Sequence, residues 1–240
     1  IDIYERTGLY SGQLPAGLGR EAAGVVETVG PGVRDVKAGD RVAYASTAPG
    51  AYADERIMPV ASLVPVPEGV SDRLAAAALL KGMTAQVLLR RTYKVRKGTV
   101  VVVHAAAGGV GSILVQWALH LGAQVIAVVG SDAKATTVRA MGCKDVLIQG
   151  RDDLAARVRE LTGGQGAHVV YDSVGKDTFF ASLDSLRPLG LMVTYGNASG
   201  PVPPIAPLEL ARRGSLFLTR PVLFSYVSKR ADLLRSAAEL

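Results

Sequence analysis

The chain has 240 residues, 49% hydrophobic and 20% charged, a globular composition long enough for one large domain or two smaller ones. Its formal net charge is +6, but the basic residues are scattered and the aromatics, at 5%, do not interleave with them; that argues against a nucleic-acid partner. No apolar run approaches the roughly 18 residues of a membrane helix, and one cysteine, Cys143, excludes an intrachain disulfide and a Cys-rich zinc module.

The lone cysteine fits a reducing, cytoplasmic setting. The chain opens on Ile1, without Met and in mid-pattern, so a preceding segment is expected. Residues 1–80 carry short β-rich runs at Ala22–Val29, Arg41–Ala45, Tyr52–Met58 and Leu63–Pro65. They are separated by turn signals such as "GPG", "AGD" and "PEG", the pattern of a small, mostly antiparallel β-domain. From Lys81 onward, strands at Thr99–His104, Gln124–Val129, Asp145–Ile148, His168–Asp172 and Leu191–Tyr195 alternate with helical segments. These helices are expected over Gly109–Leu121, Asp132–Met141, Asp152–Leu161 and Asp177–Leu186, with Asp132, Asp152 and Asp177 as caps or first-turn acids. Such alternation predicts an α/β unit with a doubly wound parallel sheet, covered by helices on both faces. "PVPPIAP" (201–207) is a rigid loop.

"AAAGGVG" (105–111) follows the β-branched strand "TVVVVH" and opens a helix. A glycine turn in that position lets backbone N–H groups and a helix N-terminus face an anion. The match to G-x-G-x-x-G is incomplete: Ala106 takes the first glycine position, with Gly108 and Gly111 at the other two. The strand–turn–helix context supports it as a dinucleotide cradle. At the tip of the next strand an NAD site would place an acid for the ribose 2′-hydroxyl. Here stand Gly130 and Ser131, then Asp132 and, one turn on, Lys134. An uncharged tip beside a cation suits a 2′-phosphate, so NADPH is the expected cofactor. As a helix cap, Asp132 would turn its carboxylate toward helix amides and away from ribose.

With "GREAAGVVETVGPGVRDVKAGDRV" (19–42), "LKGMT" (80–84), "HAAAGGVGSILVQWA", "VVYDSVG", "GLMVTYGNASG" and "GSLFLTRP", the chain closely resembles the quinone oxidoreductases of the zeta-crystallin type. These belong to the medium-chain dehydrogenase/reductase superfamily. The resemblance runs over essentially the whole chain. It implies a GroES-like catalytic domain (1–80, its N-terminal part missing) and a Rossmann NADPH-binding domain (81–240, its return to the catalytic domain missing). It also implies NADPH-dependent reduction of quinones and a homodimer, with the 214–221 strand as a natural edge for pairing. By the same resemblance, Tyr4 would lie beside the nicotinamide and serve as the catalytic donor, and Thr84 would contact the cofactor. Gly109 and Val110 would join the pyrophosphate turn, and Gly130, Ser131 and Lys134 the 2′-phosphate pocket. Ser173 and Val174 would line the adenosine side, and Asn197, Pro221, Val222 and Leu223 the nicotinamide half. Gln149 stands where the family often has a tyrosine that helps hold the 2′-phosphate; it can hydrogen-bond but not stack.

Zinc-dependent relatives carry "GHE" where this chain has Gly19-Arg20-Glu21, and a ligand cysteine near Leu80-Lys81. Arg20 and Lys81 would repel a divalent cation, and Arg20 is expected to pair with a nearby carboxylate. His104, His120 and His168 are dispersed, without the convergent ligands a zinc site needs, so no metal is expected. "GVGSI" lacks the second glycine of a nucleophile elbow, Cys143 is expected to be buried, and Asp172-Ser173 is expected to line the cofactor crevice. The sequence thus predicts zinc-independent hydride transfer to a quinone. Its alternatives are an enoyl or alkenal reductase acting on α,β-unsaturated carbonyls, and a non-catalytic RNA-binding or crystallin-type relative.

Overall fold

The structure, a computed structural model, describes residues 1–10 and 15–240. The described chain forms two compact units, one of Ile1–Met83 with Phe224–Leu240 and the other of Thr84–Leu223. The C-terminal segment therefore belongs with the N-terminal unit, whereas the sequence divides the chain once, at residue 80.

In the first unit a short helix, α1 (Asp2–Arg6), precedes three antiparallel strands, β1 (Glu21–Val25), β2 (Arg41–Ala45) and β3 (Leu63–Pro65), in the order β1-β2-β3. Val42, Tyr44 and Leu63 form its small core with Ala22, Val26, Val36 and Met58 packed against them. Tyr52–Met58 is not a strand: Tyr52 and Ile57 are exposed, Ile57 by 99%, and Met58 is its one side chain packed on the small core, so no alternating face is buried. The loop is held instead through Arg56, whose guanidinium donates to the carbonyls of Ala48 and Pro49 and to the Tyr44 hydroxyl. Helix α2 (Asp72–Gln86) spans the division between the units and continues into a π-helical turn, Val87–Thr92.

The second unit is built on six strands, β4 (Val100–Val103), β5 (Gln124–Val129), β6 (Asp145–Ile148), β7 (Ala167–Asp172), β8 (Leu186–Thr194) and β9 (Phe217–Thr219). Their order is β6-β5-β4-β7-β8-β9 and every pairing is parallel. Between them run α3 (Gly109–His120), α4 (Asp132–Ala140), α5 (Leu154–Leu161), α6 (Phe179–Asp184) and α7 (Leu208–Arg212). Helices α8 (Leu223–Tyr226) and α9 (Arg230–Ala238) follow in the C-terminal segment, which from Phe224 onward belongs with the first unit. All four valines of β4 are buried, as a central strand covered on both faces requires. One face packs Val101, Val103, Val125, Ala127, Val169 and Tyr171 against α3 residues such as Leu114 and Ala118. The opposite face packs Val102, Ile126, Val128, Val170 and Met192 against Val158, Phe179 and Leu183 of α5 and α6.

Helix α4 starts at Asp132 as expected, whereas α5 and α6 start two residues after Asp152 and Asp177. Ser131 caps α4 and Asp153 caps α5 through their side chains, and Thr178 precedes α6 without a side-chain cap bond. Asp132 is the first-turn acid of α4, while the Asp152 carboxylate accepts the Ile148 amide at 2.6 Å. The buried Tyr171 hydroxyl donates to the Leu88 carbonyl at 2.9 Å and ties β7 to the π-helical turn. Tyr171→Phe removes this bond and leaves the Leu88 carbonyl only the Tyr93 amide, and it is expected to cost about 1 kcal/mol in urea unfolding, with the denaturant slope unchanged.

Candidate functional site

Because the six strands are parallel, their carboxyl ends share one edge of the sheet, and β4, with β5 on one side and β7 on the other, marks the switch point where the connections diverge and a crevice opens. Past β4, the His104 amide donates to the Tyr171 carbonyl and the Ala106 amide to that of Val128. Ala105 takes a positive φ of 48°, and Gly108 becomes the N-cap of α3 with no side chain capping the helix. A Cβ at Gly111 would lie 2.2 Å from the Ala105 carbonyl oxygen, and one at Gly108 3.0 Å from it. The helix therefore starts in contact with the turn, and its first amides, at Gly109, Val110 and Gly111, are left for an external acceptor.

The neighbouring strand ends complete the rim. A Cβ on Gly130, beyond β5, would meet open space. Ser131 Oγ accepts the Lys134 amide at 3.4 Å, and the Lys134 side chain is exposed. Gln149, just past β6, is exposed, its amide bonded to the Val129 carbonyl. Loops 173–175 and 196–200 are joined by the bonds Ala198 N–H to Ser173 O and Ser199 N–H to Val174 O. They approach so closely that a Cβ on Gly196 would come within 2.4 Å of the Ser173 carbonyl oxygen. Arg220 fixes the Asn197 loop from below, donating to the Gly196 carbonyl at 2.9 Å and to Thr194 Oγ1 at 3.1 Å. Pro221, Val222 and Leu223 follow β9 on the same edge. A cavity of about 460 Å³ opens beside these ends, lined in part by His104, Val128, Gln149, Arg151, Asp177 and Thr178.

Under the rim lies a buried polar cluster. Asp172, fully buried at the end of β7, accepts the amides of Val174 (2.7 Å) and Gly175 (3.0 Å) with one carboxylate oxygen. The other oxygen accepts the hydroxyls of Thr178 (2.7 Å) and Ser182 (3.0 Å). Ser182 Oγ also sits 2.9 Å from His104 Nε2, while His104 Nδ1 is buried without a partner. Burial holds the His104 pKa below its ordinary value, with the charge of Asp172 opposing in smaller measure. Asp172 thus anchors the loop that carries Ser173 and Val174 and does not act as half of an acid–serine pair.

The expected residues Gly108, Gly109, Val110, Gly111, Gly130, Ser131, Lys134, Gln149, Ser173, Val174, Asn197 and Pro221–Leu223 all lie on this one edge. Thr84 sits in α2, outside these loops, and Tyr4 lies in α1 of the other unit, its ring edge-on to Tyr10 at 5.3 Å. Arg151, His104 and Thr178 were not anticipated. For Thr178 and Ser182 a signal existed: two hydroxyl residues follow the strand-end acid of "YDSVG" at helical spacing.

The first unit shows how the positions of zinc ligands are used here. Arg20 pairs with Glu5, its Nε 2.7 Å from Oε1, as expected. Lys81 pairs with Glu21, whose second oxygen accepts the Leu80 amide at 3.2 Å. Among the described residues no group of three or more His, Cys, Asp or Glu side chains converges as a metal site. Cys143 is buried, and burial pushes its thiol pKa up, in keeping with a packing role. Among the described residues no helix is long and apolar enough to cross a membrane.

A parallel sheet with a glycine turn and uncapped helix at its switch point, in a chain that also carries a β-rich unit, defines a nucleotide-binding dehydrogenase or reductase. The family model for zinc-binding dehydrogenases matches residues 109–233, and that for the alcohol dehydrogenase GroES-like domain matches residues 1–68. The 2-haloacrylate reductase of a Burkholderia species is 49% identical over 240 residues, covering 97% of this chain and 72% of that protein. A quinone oxidoreductase of Pseudomonas aeruginosa is 48% identical over 241 residues, covering 100% of this chain and 74% of that protein. The crystal structure of Escherichia coli quinone oxidoreductase complexed with NADPH matches with a TM-score of 0.96 and 46% identity, over 99% of this chain and 73% of that one. The chain belongs to the medium-chain dehydrogenase/reductase superfamily, among the quinone oxidoreductases.

Two outcomes are expected from this geometry. Gly111→Ala forces α3 off the turn and is expected to cost about 1–3 kcal/mol of stability and to weaken nucleotide binding measured by fluorescence titration. Because the folded protein resists protonating His104, that contribution is fully present above the unfolded value near 6.5 and is lost as pH falls below it. His104→Gln is therefore expected to flatten the fall in stability between about pH 6.5 and 5, read by urea unfolding across that range.

Proposed function

We propose that this protein is a zinc-independent NADPH:quinone reductase. The observation that carries the reading is the carboxyl edge of the sheet: uncapped amides at the start of α3 for a pyrophosphate, and a β5 tip with Ser131 and Lys134 where an NAD site would offer an acid. Bound NADPH would supply the hydride. Gly108–Gly111 would hold the pyrophosphate, and Gly130, Ser131, Lys134 and Gln149 the 2′-phosphate end. Ser173 and Val174 would line the adenosine side, with Thr84, Asn197 and Pro221–Leu223 toward the nicotinamide. Tyr4 is assigned the donor role toward the oxyanion that develops on the acceptor.

A quinone, already a strong hydride acceptor through its two conjugated carbonyls, needs no Lewis acid. The ion pairs Arg20–Glu5 and Lys81–Glu21 support this metal-free reading, since they put paired cations where zinc relatives carry ligands. The 49% identity to a 2-haloacrylate reductase supports a second reading, an enone-type acceptor that takes the same hydride. The reading includes a homodimer formed along β9, an edge strand whose Phe217 is 60% exposed, a cytoplasmic setting, and no nucleic-acid partner.

The test is NADPH consumption by the full protein against benzoquinone, naphthoquinone and 2-haloacrylate, before and after treatment with a strong chelator. Fastest turnover with a quinone, unchanged by the chelator, is expected. Preference for the haloacrylate would favour the second reading, and activity lost on chelation would sink the metal-free one.

A further inference from the structure

Beside the tip of β5 lies an arrangement that the assignment above leaves unused. Arg151, three residues past β6, reaches toward α4 and places Nη1 3.2 and 3.3 Å from the two carboxylate oxygens of Asp132. The side chains are 58% and 79% exposed, so solvent screens the pair and little of the fold rests on it. Its position is what matters. Asp132 directly follows Ser131, the cap of α4, and lies two residues before Lys134, while Arg151 lines the cavity together with Gln149 and Gly150.

An acid near the tip of the second strand ordinarily accepts the ribose 2′-hydroxyl and disfavours a phosphate there. Asp132 is the one acid in the first turn of α4, and Arg151 occupies both of its oxygens. The guanidinium meanwhile spends only Nη1 on the pair. Its Nε–H and Nη2 donors carry no other hydrogen bond among the described residues, and a planar fork with free donors is suited to phosphate oxygens.

We propose that Arg151 is a specificity-determining residue for a 2′-phosphorylated adenine nucleotide. It neutralises Asp132 and offers its remaining donors to the phosphate beside Lys134. Asp132 is then a positioning residue that holds the guanidinium at the rim. The arrangement supplies by charge and hydrogen bonding what Gln149, which cannot stack, does not. The inference rests on the NADPH reading of the same edge.

The test is calorimetric titration of the full protein with 2′,5′-ADP and with ADP, reading the ratio of the two affinities without turnover. Wild type is expected to favour 2′,5′-ADP. Arg151→Ala, which removes the donors and unmasks Asp132, is expected to lower that ratio by about fivefold or more, the size of one charge-assisted hydrogen bond. Arg151→Lys is expected to fall between the two. Asp132→Asn combined with Arg151→Ala is expected to recover part of the ratio, since the unmasked carboxylate is gone. A ratio unchanged within about twofold in Arg151→Ala, with wild type still preferring 2′,5′-ADP, would overturn the role of Arg151 alone. Equal affinities in wild type would instead overturn the NADPH reading beneath it.

Discussion

A Cβ at Gly111 would stand 2.2 Å from the carbonyl oxygen of Ala105, closer than two atoms can approach without displacing the backbone. That contact locks the first turn of α3 onto the turn leaving β4, and much of the site follows from it. The helix axis is aimed at the strand end, its first amides are left without a side-chain cap, and its positive end faces the crevice. Since β4 lies between β5 and β7 in a wholly parallel sheet, the same point is where the connections diverge and leave space. The close contact at Gly111 thus goes with helix amides that no side chain caps, an arrangement suited to an anion.

Around this point the charges are arranged by burial. Asp172 is sunk beneath the rim and satisfied by two amides and two hydroxyls, so it holds loop 173–175 to the start of α6 without presenting a negative surface at the rim. At the exposed rim the cations Lys134 and Arg151 take over, with Asp132 tied to the latter. In the first unit the opposite device operates: Arg20 and Lys81 are each joined to a glutamate. The sheet edge thus keeps cations at its exposed rim, while Arg20 and Lys81 of the first unit are held in ion pairs.

Much of this was legible in the sequence, for physical reasons that differ by element. The parallel strands announce themselves because strands buried on both faces need uninterrupted β-branched runs, and "VVVV" has no other comfortable conformation. The glycine turn was legible because strand, turn and helix follow one another locally. The starts of α5 and α6 fall two residues later than expected because neighbouring polar residues compete: at α5 Asp153 caps the helix while Asp152 turns back to the Ile148 amide. Tyr52–Met58 looked like a strand because composition reports tendency and not whether a core lies opposite. The return of 224–240 to the first unit and the reach of Arg151 to Asp132, nineteen positions away, depend on how the chain comes back on itself, which no local pattern records.

The central claim, that the carboxyl edge of the parallel sheet is the nucleotide site, is tested most directly by amide hydrogen exchange on the full protein with and without NADPH. The account predicts slowed exchange over residues 105–111, 130–134, 149–151, 173–175 and 196–198, with the opposite edge of the sheet unaffected. Unchanged exchange in those loops at saturating NADPH, or protection confined to the amino-end loop 93–99, would contradict it.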